Sequence, residues 1–512
     1  MLKSTGFSRE LSAPSADVLR RALLLIVGLT ALLLLVGAGV AYWFFARDGF
    51  REALEAQATA WLGHPVRIGS ASVQFLPRLA VELRGVRVGE PVQLTLDDVD
   101  LASDLRPLFS GRIENAEVSI SESRIDLPLP FGLPERSAGG NAADGSDAAV
   151  RIVSIKSIAL RSVRLRSRGR EIVVSADSAY GGTALALNSF TAEAGGTTLK
   201  AEGLMTLSPR IDARINAVAN RLDLDELLAL ADAFAPASGG SPRDAGQSPR
   251  VAANISAGEA TAGGVQVRNL TTTLVRDGSS VSLTPLQFDA FGGHYSSSIQ
   301  ARVGKELSAT IESKIDKVDV AQLAAFGGSP DSVTGTLSAA GRFTGSGADF
   351  AQMLKNASGS GSASIVNGSI RRLNLVRTVV LFFGRPAPDA GESTDRFDRL
   401  EARFTLANRV VKAEPLSLHA PDADMAGSGT LNLETDALDG RVDVRLSEAL
   451  SRQAGTDLYR YTREGNRVVL PAAIGGTLTN PRLTIDVGAA AKRGLRNEVE
   501  RRMKGILDGL GR

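Results

Sequence analysis

Ile158-Ala-Leu-Arg-Ser-Val-Arg-Leu-Arg166 is the stretch on which the fold turns. Its apolar and polar residues interleave with a period near two, the signature of a strand with one dry and one wet face and too short a repeat for a helix. The same alternation runs upstream through Val81, Leu83 and Val86, then Leu94 and Leu96, then Val118 and Ile120, then Ile125, Leu127 and Leu129. Downstream it recurs over residues 199–207, 211–218, 265–274, 281–288 (with Leu283), 299–303, 307–315, 333–343, 362–370, 400–406, 410–418, 425–433 (with Leu431 and Leu433), 438–446 and 474–487. The chain is therefore mainly short strands. Turn phrases such as Arg276-Asp-Gly278, Val366-Asn-Gly368 and Glu464-Gly-Asn466 favour hairpins, and no helix is evident at each crossover, so the sheet is expected to be antiparallel.

A few segments break the period. Residues 47–62 read as a short amphipathic helix ended by Gly63, and short helices are expected over 222–231, 320–326 and 371–383. Residues 489–510 form a basic amphipathic helix with Leu495, Val499, Met503 and Leu510 along one side. We read it as a plug on the last strands, the alternative being contact with an anionic membrane surface or a docking partner. Residues 131–149, 233–250 and 385–394, rich in Gly, Ala, Pro, Ser and Asp, are loops or module joints. Phe288-Asp-Ala-Phe-Gly-Gly293 and Ala179-Tyr-Gly-Gly182 either mark equivalent turns in repeated hairpins or recur by chance.

Between Arg21 and Arg47 no residue is charged. The 25 intervening residues, 22–46, would make a helix about 37 Å long against about 30 Å of hydrocarbon, so the reading is an uncleaved transmembrane helix. Tyr42, Trp43, Phe44 and Phe45 then serve as interface anchors, and Arg20 and Arg21 in the positive flank keep the N-terminus cytoplasmic. The bulk of the chain is exported.

Composition excludes several function classes. The chain has no cysteine, which rules out disulfides and thiolate metal sites. A net charge of +2 with interleaved signs lacks the basic footprint of a nucleic-acid binder. His64, His294 and His419 have no carboxylate at ligand or triad spacing, so neither catalytic nor metal residues are assigned. Gly345-Ser-Gly347, Gly359-Ser-Gly361 and Gly427-Ser-Gly429 each precede a strand instead of joining a strand to a helix, and turn chemistry accounts for them better than a phosphate loop.

A sheet this extended hides its apolar side either in a sandwich or in a trough that holds a ligand. Periodicity alone leaves both open. The phrases Trp61-Leu-Gly-His-Pro-Val-Arg-Ile-Gly69 and Leu105-Arg-Pro-Leu-Phe-Ser-Gly-Arg-Ile113 behind an anchor helix are similar to the N-terminal region of the AsmA family of envelope proteins. So, toward the other end, are Ala357-Ser-Gly-Ser-Gly-Ser-Ala-Ser-Ile-Val-Asn-Gly-Ser-Ile370, Phe397-Asp-Arg-Leu-Glu-Ala-Arg-Phe404 and Gly475-Gly-Thr-Leu-Thr-Asn-Pro481. The resemblance implies a single-pass protein of the Gram-negative inner membrane with a periplasmic, elongated β trough. Its function would be non-enzymatic phospholipid transfer or shielding between inner and outer membrane, the alternative being a scaffold that assists outer-membrane protein assembly. Inner-membrane phospholipids are the implied partners, with a protein of either membrane as a further one, and no cofactor is implied. Val81, Leu83, Leu94, Leu96, Val118, Ile120, Leu283, Leu431 and Leu433 are the groove candidates on this reading. The expected order is a tail (1–21), the membrane helix (22–46), an N-terminal β region (47–130), an insert (131–149), a middle β region (150–232), a linker (233–250), a C-terminal β region (251–488) and the last helix (489–512).

Overall fold

The computed structural model describes residues 49–74, 78–92, 94–108, 112–127, 151–152, 154–208, 210–234, 249–330, 332–371, 378–379, 394–453, 459, 462–477 and 479–510. The expected membrane helix with its anchors Tyr42, Trp43, Phe44 and Phe45 and flank Arg20 and Arg21, the insert at 131–149 and most of the helix expected at 371–383 lie outside these residues. Among the described residues no helix is long and apolar enough to cross a membrane. The fold is mainly β with a few short helices, and it divides into two compact units, up to residue 282 and from residue 283.

The first unit begins with the helix Gly49–Leu62, which Gly63 ends in the left-handed conformation (φ 70°). Its strands are β1 (Val66–Arg67), β2 (Ser70–Gln74), β3 (Leu79–Val88), β4 (Leu94–Ser103), β5 (Arg112–Ile113), β6 (Ala116–Ser121), β7 (Arg124–Leu127), β8 (Arg151–Ile152), β9 (Ile155–Ser167), β10 (Arg170–Tyr180), β11 (Ala184–Ala194), β12 (Thr197–Thr206), β13 (Asp212–Asp223), β14 (Arg250–Ala262) and β15 (Val265–Asp277). Leu54, Ala58 and Leu62 of the helix close over Val81, Leu83, Val86 and Val88 of β3, Leu94, Leu96, Val99 and Leu101 of β4, and Val118 and Ile120 of β6. Each such side chain withdrawn from water stabilises by about 1.5–3 kcal/mol. On the wet side, Arg78 donates to Asp104 (3.1 Å), Glu117 (2.9 Å) and the Asn115 carbonyl (2.7 Å), and Lys156 donates to Glu117 (2.8 Å). Hydrogen bonds from Lys156 and Arg78 hold the Glu117 carboxyl below its usual range.

The sheet is mixed, which corrects the expectation of a purely antiparallel one. β13 runs parallel to β14, β9 runs parallel to both β6 and β7, and β5 runs parallel to β8. The helix Leu224–Ala233 supplies the crossover between β13 and β14. It falls where a short helix is expected from sequence, and that helix is what a parallel connection needs.

β16 (Ser280–Ala290) spans the division between the units. The second unit continues with β17 (Gly293–Arg302), β18 (Leu307–Asp319), β19 (Val333–Gly347), β20 (Ser358–Arg371), β21 (Thr394–Ala407), β22 (Val410–His419), β23 (Ala423–Asn432), β24 (Leu438–Leu446), β25 (Arg463–Glu464), β26 (Arg467–Thr477) and β27 (Asn480–Ile485). From β17 to β24 every neighbouring pair is antiparallel, as are β24 with β26 and β26 with β27. A packed core forms at the β22–β27 end, where Val444, Leu446, Val468 and Leu470 are fully buried together with Leu450 of the helix Glu448–Gln453.

One device recurs. After a hairpin and a third strand, the chain returns to the hairpin's turn, hydrogen-bonds it and starts a capped helix. Asp223 N–H donates to Thr197 Oγ1 (3.0 Å) while its carboxylate accepts from Glu226 N (2.9 Å). Asp319 N–H donates to the Phe291 carbonyl (2.8 Å) while its carboxylate accepts from Ala321 N (2.8 Å) and caps Val320–Phe326. Ser447 N–H donates to the Asp422 carbonyl (2.8 Å) while its hydroxyl accepts from Leu450 N (3.2 Å). The turn at Phe291 thus corresponds to the one at Gly195, which lies beside Glu226. The Tyr180-Gly-Gly182 turn joins β10 to β11, at the opposite end of β11, and it too is met after a third strand, by Leu207 N–H donating to the Thr183 carbonyl (2.8 Å).

Two turn readings hold and one changes. Gly278 and Gly465 sit in hairpin turns, whereas Asn367 (φ 53°) lies in a bulge inside β20 against β19: Ser369 pairs with Thr334 and Val366 with Thr336, so Asn367 and Gly368 both face Gly335.

Candidate functional site

The registers of the second unit line up an apolar surface. Across β17 to β24 one row reads Ile299, Ile311, Phe343, Gly359, Leu406, Val411, Leu431, Leu438, each residue opposite the next. A second row reads Tyr295, Ile315, Ala339, Ala363, Ala402, Leu416, Gly427, Val442. Residues an even number apart on a strand share a face, and the shift between Ala413 and Leu416 keeps β22 in phase with its neighbours. The opposite face carries the row Ser298, Glu312, Arg342, Ser360, Thr405, Lys412, Thr430, Asp439, with Glu312 and Arg342 ion-paired at 2.9 Å.

Burial separates this surface from a closed core. Ile299, Ile311, Ile315, Phe343, Phe404, Leu406, Val411, Leu416 and Leu431 are all half-buried, whereas Val444, Leu446 and Leu470 in the neighbouring core are 0% exposed. Two sheets packed face to face interdigitate and would bury the first set as completely as the second. Over β17–β23 the dry face is therefore partly open.

Glycines shape its floor. The Gly-Ser-Gly phrases lie inside β19, β20 and β23, not in turns, with both glycines of each on the apolar face and the serine on the other. That corrects the turn reading: a period of two is itself the strand signal. The bare floor lets the Phe343 and Phe404 rings lie down on it, stacked at 6.3 Å between centroids. A Cβ on Gly361 would meet the Phe404 ring at 2.7 Å. At the far end of β19, the helix Phe350–Lys355 sits so close that a Cβ on Gly347 would meet the Met353 nitrogen at 2.6 Å.

The nine candidate residues fall in different surroundings. Val81, Leu83, Leu94, Leu96, Val118 and Ile120 are brought together, but inside the closed cluster under Gly49–Leu62, where the helix already covers them. Leu283 lies half-buried on β16, Leu431 belongs to the first apolar row, and Leu433 stands just beyond β23 at 46% exposure. In the first unit an apolar row crosses β10 to β14 through Val174, Ala192, Leu199, Ala219 and Ala257, with Val174, Ala219 and Ala257 buried.

Folding also creates polar pairs that linear spacing did not suggest. His294 Nδ1 lies 2.8 Å from Asp289, and His419 Nδ1 lies 3.2 Å from Asp424, each pair five residues apart across a hairpin turn. Both pairs are on the exposed surface, and Asp424 also takes Arg467 at 2.8 Å. Glu82, Asp98 and Asp100 of β3 and β4 bring carboxylate oxygens within 4.8 Å of one another. Partial burial, followed by the Asp98 and Glu82 charges, pushes the Asp100 carboxyl up, while Arg84 pairs with Glu82.

Comparison with known proteins fits this architecture. Residues 218–416, from within β13 to within β22, match the model of the AsmA family and so include most of the open face. The chain is 21% identical over 352 residues to Protein AsmA of Escherichia coli (strain K12), covering 62% of this chain and 55% of that protein. It thus spans about half the length of the curated relative it matches. No solved structure matches it. The matched span and the mainly β fold agree, and residues 218–416 form an AsmA-family region.

Proposed function

We propose that the open apolar face over β17–β23 lines a trough that cradles phospholipid acyl chains, and that this chain shields or moves phospholipid between the bacterial inner and outer membranes without enzymatic chemistry. The observation that carries the reading is the pair of continuous apolar rows, half-buried where a sandwich would bury them. Such a face left in water is costly. Acyl chains would cover it while headgroups stay wet along its edge, and passage down a concentration gradient asks for no catalytic group. The family suggests an envelope role, and the uncharged segment 22–46 would tether the chain to the inner membrane.

The test is mass spectrometry of lipid carried by the full chain after gentle extraction, comparing Ile311→Asp on the apolar face with Ser360→Asp on the wet one. The reading expects bound phospholipid in the parent and in Ser360→Asp, and its loss in a folded Ile311→Asp. Absence of lipid from the parent, or equal loading of both variants, would leave a protein-contact scaffold as the better account.

A further inference from the structure

The helix Val487–Leu510, expected from sequence as a plug on the last strands, meets them at its base and leaves an apolar stripe exposed beyond it. Asp486 caps it by accepting from Ala489 N (2.8 Å), Ala490 is buried, and Arg493 donates to both carboxylate oxygens of Asp443 (3.1 and 2.7 Å). Leu495, Val499 and Met503, four residues apart and so on one side of the helix, are 69%, 53% and 55% exposed. From Leu495 to Leu510 the helix runs about 24 Å at 1.5 Å per residue, long enough to lie along a surface. Besides Arg493, which Asp443 neutralises, its 24 residues carry five basic side chains against three acidic ones. The Arg493 guanidinium, held by Asp443, fixes its base on the sheet.

The geometry points to a docking element for an anionic phospholipid surface: the stripe Leu495, Val499 and Met503 enters the headgroup boundary while Lys492, Arg496 and their basic neighbours meet the phosphates. Charge decides the occupant. An apolar stripe alone would suit a protein groove or a second copy equally, but a net positive helix repels its own copy and gains near an anionic bilayer. This inference does not depend on what the β face holds. Docking and lipid carriage fail independently.

Because the chain has no cysteine, Val499→Cys takes a single environment-sensitive fluorophore. The full chain is reconstituted in phosphatidylcholine vesicles and offered acceptor vesicles of phosphatidylcholine with or without phosphatidylglycerol. The expected result is a blue shift with phosphatidylglycerol only, reversed by salt, and weakened about tenfold or more in a Lys492→Glu/Arg496→Glu background. In an unlabelled assay, Leu495→Asp should lose acceptor-vesicle capture with its melting temperature unchanged, since the residue is exposed. A shift equal on both acceptors, no shift at all, or a concentration-dependent shift without acceptors, the mark of self-association, would overturn the proposal.

Discussion

Two substitutions on one hairpin decide whether the β17–β23 face is open. Val444 on β24 is 0% exposed, opposite Met425 and Leu470, and a carboxylate placed there loses its water with no partner to replace it. Val444→Asp should cost more than about 4 kcal/mol, the range reserved for unpaired buried charge. Leu431 on β23 is half-buried. Leu431→Asp forgoes about half of the 1.5–3 kcal/mol that full burial of a leucine is worth, so about 1 kcal/mol, and its carboxylate keeps water. For a unit of this size those losses correspond to a shift of about 3 °C for Leu431→Asp and more than about 10 °C for Val444→Asp. Calorimetry of the lipid-stripped full chain reads the shift, with hydrogen exchange over residues 423–446 assigning the transition to the second unit. Equal destabilisation by the two substitutions would mean that Leu431 is covered in solution, and the open face would be refuted.

Four further outcomes follow from particular contacts. Asp319→Ala removes the cap of Val320–Phe326 and should cost about 1 kcal/mol, read as faster exchange at 320–326. Gly361→Val should cost about 1–3 kcal/mol by overpacking against Phe404, and Phe404→Ala in the same chain should relieve part of that loss in a double-mutant cycle. Glu117, with its folded pKa depressed by Lys156 and Arg78, lends stability that is present above its unfolded pKa and fades as pH falls through the lower folded one. Glu117→Gln should therefore melt earlier than the parent at neutral pH, by no more than about 1 kcal/mol for so exposed a pair, with the gap closing in acid. Asp100 has the opposite sign: its folded pKa is raised, so ionisation is a penalty above that pKa, and Asp100→Asn should melt later than the parent at neutral pH and lose the advantage in acid.

Alternation made the strands legible because a side chain's face is set by its own position on the backbone. The helices Gly49–Leu62 and Val320–Phe326 were legible for the same local reason, the first from helical spacing of Leu54, Ala58 and Leu62 and the second from its apolar run. The misreadings share a cause of a different kind. Gly359 and Gly361 look like turn residues until Phe343 and Phe404 arrive from neighbouring strands to occupy the space a side chain would need. Asn367-Gly368 looks like a hairpin until β21 pairs across it, and His294 and His419 look isolated until a turn brings Asp289 and Asp424 alongside. Above all, Val118 and Leu431 are indistinguishable in sequence: both are apolar residues at period-two positions of amphipathic strands. One lies under the distant helix Gly49–Leu62 and the other lies half-open. Periodicity states which side chains share a face and is silent on what covers that face. In this chain, whether a face is covered is what separates a stabilising core from a surface able to hold a lipid.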